Sequence, residues 1–215
     1  MRRRILAAVA AVLLALAVST VLALRSDWLR QRVHERIVSE IERSTGGRAS
    51  LGGFDFDWKL LRVELRDLVV RGKEPEQAAP LARVTRVQID LRVISFFRRH
   101  VDVAAVLVES PAVNLIVNED GATNVPEPKV KSPRTVAETI LNLAVKRFAI
   151  EGGAVTCGMK RYAVDARGEN LRAQFQFEPR GPKYGGTISL AKLVAGGWKD
   201  PIAASASLGM ERNRL

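Results

Sequence analysis

From Ala49 onward the chain keeps one habit, an apolar side chain at every second position. Val87, Ile89, Leu91 and Val93 alternate with Arg86, Gln88, Asp90 and Arg92. Val113, Leu115 and Val117 follow, then Phe148 and Ile150, then Leu171, Ala173, Phe175 and Phe177, then Ile188 and Leu190. A period of two gives each strand one apolar and one polar face. Val63, Leu65 and Leu68 read as a strand with a kink in it. Turn signals stand at Arg71-Gly72, Asp120-Gly121, Glu151-Gly152-Gly153, Arg167-Gly168, Gly181-Pro182 and Gly196-Gly197, at intervals too short for crossover helices. The expected fold class is therefore mainly β, a mostly antiparallel sheet of about ten strands built from successive hairpins over residues 48–215.

A sheet with one apolar face must cover it with a second sheet, a helix or something that is not protein. Covers are scarce here. Trp28, Leu29, Val33, Ile37, Val38 and Ile41 recur near helical spacing behind a Ser26-Asp27 N-cap and ahead of Gly46-Gly47, which makes residues 25–47 an amphipathic helix segment. A second helix is expected from Lys131 to Leu143, with Ser132 as N-cap, Pro133 in its first turn, and Val136, Ile140 and Leu143 on one face. Against about ten strands these are too few, so the sheet either curls on itself or holds an apolar ligand. Both outcomes make a long concave β-groove.

The N-terminus bears on the compartment. Met1-Arg2-Arg3-Arg4 precedes twenty uncharged residues, Ile5 to Leu24, whose only polar members are Ser19 and Thr20. As a helix this run would be about 30 Å long, the thickness of a bilayer hydrocarbon core. Three arginines ahead of it place the N-terminus in the cytoplasm and the rest of the chain outside, although Arg25, Arg30 and Arg32 at the other end oppose that orientation. Val21-Leu22-Ala23 and Ala15-Leu16-Ala17 could pass as signal-peptide cleavage sites, but the apolar run exceeds a usual signal core, which favours a retained transmembrane anchor over residues 1–24. Trp28, next to the span, is expected at the membrane interface, the alternative being an ordinary capping helix with no lipid contact.

Charge and chemistry exclude more than they suggest. The net charge is +11, but residues 1–44 hold eight arginines against four acids, and the remaining excess is diffuse. No nucleic-acid motif accompanies it, so anionic lipid surfaces are the expected use and nucleic acid is not an expected partner. The basic aromatic corner Ser95-Phe96-Phe97-Arg98-Arg99-His100 reads either as a lipid-headgroup contact or as a loop whose phenylalanines tuck under the sheet. Cys157 is alone, which rules out an internal disulfide. His34 and His100 have no cysteine pair or carboxylate cluster beside them, and no phosphate loop, dinucleotide fingerprint or nucleophile elbow occurs. Asp55 and Asp57 share one face of a strand opposite Phe54, Phe56 and Trp58, as solvated strand residues do. The expectation is a protein with no catalytic residues, no metal and no cofactor.

In order along the chain, several motifs resemble the start of the AsmA-like, TamB-related family of bacterial proteins. They are the basic tip and single span, the amphipathic helix leading to Thr45-Gly46-Gly47-Arg48-Ala49-Ser50-Leu51-Gly52, and Leu65-Arg66-Asp67-Leu68. The strand Val84 to Val93 follows. Next come Ser110 to Val125, which carries a strand followed by Asp120-Gly121 and Asn124, and Phe148-Ala149-Ile150-Glu151-Gly152-Gly153-Ala154-Val155 as the next hairpin. The resemblance implies an inner-membrane anchor, a body in the periplasm, and a repeating β-groove. The apolar lining of that groove shields phospholipid acyl chains in transit between inner and outer membranes, with an outer-membrane protein as a possible partner. Groove-lining residues are then expected at Val87, Ile89, Leu91, Val93, Val113, Leu115, Val117, Phe148, Ile150, Phe175 and Phe177, with Asp120, Gly121 and Asn124 as the turn motif. Family members are generally longer, and Ala203 to Leu215 reads as a strand stopping abruptly, so the chain is expected to be either the first part of a longer protein or a short member. Within the same fold a rival expectation is an assembly factor that offers a sheet edge to client strands; an inert scaffold is the third.

Overall fold

A computed structural model describes residues 27–92, 102–129, 145–160, 164–178, 183–196, 198 and 200–211. The expected span over Ile5–Leu24, the aromatic corner at 95–100, the helix over 131–143, the turn at Gly181-Pro182 and Val93 lie outside the described residues, as does the side chain of Trp28. Among the described residues no helix is long and apolar enough to cross a membrane. The chain divides into two compact units at Ile37/Val38. The described part of the first is the opening half of helix α1, Asp27–Thr45, where Gln31 donates to Glu35 one turn on.

The second unit is mainly β. Among the described residues nine strands follow α1: β1 Arg48–Asp57, β2 Arg62–Arg71, β3 Ala82–Arg92, β4 Asp102–Glu109, β5 Ala112–Val117, β6 Arg147–Met159, β7 Val164–Glu178, β8 Lys183–Ala195 and β9 Ile202–Glu211. They make one sheet in the order β1-β2-β3-β4-β6-β7-β8-β9, with β5 also between β3 and β6. β4 and β5 form one interrupted line, broken at Ser110-Pro111. Both pair parallel with β6, and every other pair is antiparallel. The parallel pairs correct the expectation of successive hairpins. A parallel neighbour needs a crossover connection, and here the chain between Val117 and Arg147 supplies it.

Two expected turns also prove to lie within strands. Glu151-Gly152-Gly153 is a bulge inside β6, and Arg167-Gly168 runs straight through β7. The reason in the first case is that a bulge and a turn ask for the same thing, a residue at positive φ, which Gly152 provides at 65°.

Residues directly opposite across a ladder share a face, and the register therefore sorts every strand into two sides. One side carries Leu51, Phe54, Val63, Leu65, Leu68, Val70, Val84, Val87, Ile89, Val106, Val108, Val113, Leu115, Phe148, Ile150, Val155, Leu171, Phe175, Ile188 and Leu190. The other carries Arg62 bound to Asp90, Arg86 bound through two bonds to Glu109, Arg66 to Glu64, and Arg167 to Glu169. Across one level of the sheet the apolar spacing changes from two to three on six strands: Leu51/Phe54, Leu65/Leu68, Val84/Val87, Ile150/Gly153, Gly168/Leu171 and Leu190/Leu193. Positive φ at Asp67 (50°), Ser110 (47°), Gly152 (65°) and Asn170 (56°) falls on this line. Each of these six strands takes up an extra residue at the same level, so none flips its apolar set to the wrong side.

Candidate functional site: an open apolar sheet face

The apolar side is only partly covered. Among the described residues the buried hydrophobic side chains are Leu51, Leu65, Val70, Val145, Ala173, Phe175 and Tyr184, a short list for a sheet of nine strands. Val87, Ile89, Leu91, Leu115 and Val117 are half-buried, and Val113 is 38% exposed. Phe175 is in the core, and Phe148, Ile150 and Phe177 pack against it together with Ile188. The rings of Phe148 and Phe175 stand 6.4 Å apart, and those of Phe177 and Tyr184 5.2 Å apart, within the range of favourable aromatic contacts. Burial pushes the Tyr184 phenol above its ordinary pKa, against a hydrogen bond with the Val145 backbone that favours the ionised form. The register thus brings the expected lining residues within the described chain onto one face, with the four from β6 and β7 gathered into a plug.

Beside that plug lies a trough of about 300 Å³ lined by Val155, Cys157, Ala166, Gly168, Leu171, Ile188, Leu190, Leu193, Ala204 and Ala206. None of these stands among the lining residues expected from the sequence. Half of them are small, and three of the rest, Leu171, Leu190 and Leu193, flank a bulge, so they add little to a hydrophobic pattern. Their signal was the three-residue spacing of Gly168/Leu171 and Leu190/Leu193, which is visible only once the register shows that both sides of each gap face the same way. On the opposite side a polar depression of about 580 Å³ follows the bulge line, with Glu109, Glu151, Arg172 and Gln174 around Ser110, Gly152 and Asn170.

The Asp120-Gly121 motif has a different task. Asn118 to Gly121 is a tight turn, with Gly121 N–H donating to Asn118 O and Asp120 accepting from Ala122 N–H. The return makes a single bridge, Val117 to Thr123, and then leaves the sheet as a strap. Asn124, 3% exposed, locks the strap down. Its Oδ1 accepts from Ile116 N–H at 2.9 Å, and its Nδ2 donates to Asn114 O at 2.8 Å and to Glu74 at 3.4 Å. Glu74 is itself 6% exposed and accepts from Gly72 and Leu81 N–H. Burial alone would raise its pKa, but these donors outweigh it and hold the carboxyl below its ordinary value. The strap continues past Gly46, whose missing side chain makes room for the Glu127 carbonyl, and Lys129 N–H caps Arg43 O at the end of α1. Asp120, Gly121 and Asn124 therefore serve strap geometry at one end of the strands.

Among the described residues no three His, Cys, Asp or Glu side chains gather in a way that could hold a metal ion. Asp57 spends its carboxylate on Leu60 and Lys59 N–H, which lowers its pKa, and so closes the β1–β2 turn. No protein-family model matches the chain, and no curated protein matches its sequence.

Proposed function

We propose that this is an inner-membrane-anchored periplasmic β-groove protein that shields lipid acyl chains during transport between inner and outer membranes. The observation that carries the reading is the apolar side of the sheet: hydrophobic residues from every described strand, kept on one side by bulges on six of them and left half-open. Moving an alkyl chain through water costs about 0.8 kcal/mol per methylene. A groove that hides half the surface of a twelve-methylene chain would offset about 5 kcal/mol of that cost. The AsmA-like, TamB-related resemblance of the motifs, the basic tip and the twenty uncharged residues after it support the same assignment. The groove acts by binding and needs no catalytic residue.

Mass spectrometry of phospholipid co-purifying with the body from Ser26, prepared without detergent, tests the reading. Bound phospholipid is expected, and its loss is expected in Leu115→Lys, where a charge enters the apolar side. Absence of lipid in the parent under mild conditions would sink the proposal.

A second reading draws on β9. Between Ile202 and Met210 it carries no charged residue and no proline, and Ile202 and Leu208 are 49% and 45% exposed. Among the described residues β9 pairs only with β8, and an edge of that kind invites pairing with another strand, as an assembly factor for outer-membrane proteins would use it. Crosslinking from β9 to a barrel client, with no lipid retained, would favour it.

A further inference from the structure

Within the groove reading, on which this step rests, we infer that the trough on β6–β9 seats one alkyl tail in single file, methyl end against the aromatic plug. The trough runs along the strands from Ile188 to the level of Cys157. That is roughly 20 Å at strand rise. The trough is open along one side and, at about 300 Å³ over this length, is far too slender for a helix about 10 Å across.

The chemistry of the lining selects the same occupant. The lining side chains are aliphatic apart from the Cys157 thiol. The backbone N–H and C=O groups of β7 and β8 are spent on ladders to both neighbours. An extended peptide would therefore bring backbone groups that find no partner, whereas hydrocarbon brings none.

Depth comes from a glycine. A Cβ on Gly168 would stand 2.6 Å from Leu190 Cδ2, so Leu190 now lies flat across the glycine and any side chain there would lift it into the trough.

Direction comes from the plug. Ile188 belongs both to the trough lining and to the cluster of Phe148, Phe175, Phe177 and Tyr184. That end abuts the buried rings of Phe175 and Tyr184, so a methyl terminus suits it better than a polar headgroup. The glyceride end then leaves past Leu193 and Val155.

Photo-crosslinking tests this on the full chain reconstituted in phosphatidylethanolamine and phosphatidylglycerol vesicles doped with one of two diazirine phospholipids. One carries the diazirine at the end of its acyl chain, the other near the glycerol. The terminal probe is expected to label Ile188, and the proximal probe Leu193 or Val155. Gly168→Leu should cut trough labelling at least fivefold while labelling of β1–β3 persists. Should that variant fail to fold, Ala206→Leu fills the trough from an exposed position on β9 and should do the same. Labelling that ignores probe position, or that survives both substitutions, overturns the seat and leaves the groove reading standing. No labelling anywhere on the apolar side overturns the groove reading itself.

Discussion

Replacing Asn124 by alanine should loosen the strap far more than an ordinary loop substitution would. The side chain is 3% exposed and holds the Ile116 N–H at 2.9 Å and the Asn114 carbonyl at 2.8 Å. Its removal leaves one part-buried donor and one part-buried acceptor without partners, each worth up to about 1 to 3 kcal/mol. Water entering the vacated space limits the loss, so about 3 kcal/mol is expected, and the Glu74 carboxylate loses a donor as well. Hydrogen exchange followed by mass spectrometry reads this locally. Amides of residues 72–81 and 112–117 should exchange roughly a hundredfold faster, the equivalent of about 3 kcal/mol. Asn124→Asp sharpens the test, because it keeps the acceptor for Ile116 but turns an oxygen toward Asn114 O and the Glu74 carboxylate. The introduced carboxyl, beside a like charge, should have a raised pKa, so its destabilisation is greatest at neutral pH and is relieved on acidification. Exchange within threefold of the parent in Asn124→Ala would refute the assignment of Asn124 as the strap's anchor.

Other outcomes follow from the same geometry. Glu74 is held below its ordinary pKa in the folded chain, so its contribution is fully present above the unfolded value of about 4.5 and is lost as pH falls through the lower folded value; Glu74→Gln should flatten stability against pH in that acid window, measured by thermal unfolding. Gly72→Ala should destabilise by well over the ~1 kcal/mol of an ordinary glycine substitution, because its Cβ would collide with the Asn124 carbonyl; unfolding in urea reads it. Ile89→Lys and Thr187→Lys add the same charge to opposite sides of the sheet, and only the first should lower the lipid recovered per mole of protein.

Much of the sheet was legible one strand at a time. The alternation around Val87 to Leu91 marks β3, and Val63, Leu65 and Leu68 correctly indicate a strand with a kink, which the structure places at Asp67. Glycine pairs were less informative. Gly152-Gly153 offers positive φ equally to a turn and to a bulge, and only the partners on β4 and β7 decide for the bulge. The groove-lining residues could be placed on strands but not ranked. Phe175 and Leu115 follow the same period, yet one is buried in the plug and the other stays half-open, because burial depends on which strands come next to each other.

The sequence by itself determined the strand character, the two-sided pattern of each strand and the Asp120 turn, since these depend on local period and on a side chain that bonds within reach of its own backbone, whereas Asn124 reaches eight to fifty residues away. Tertiary structure alone decided that β4 and β5 pair parallel with β6, that the extra residues of six strands fall on one common line, and that small residues from β6, β7 and β9 leave a trough. Those features depend on register between segments distant in the chain. Because the side-chain period is two, a slip of one residue in that register would send the whole apolar set to the other side, and no single strand carries the information that prevents it.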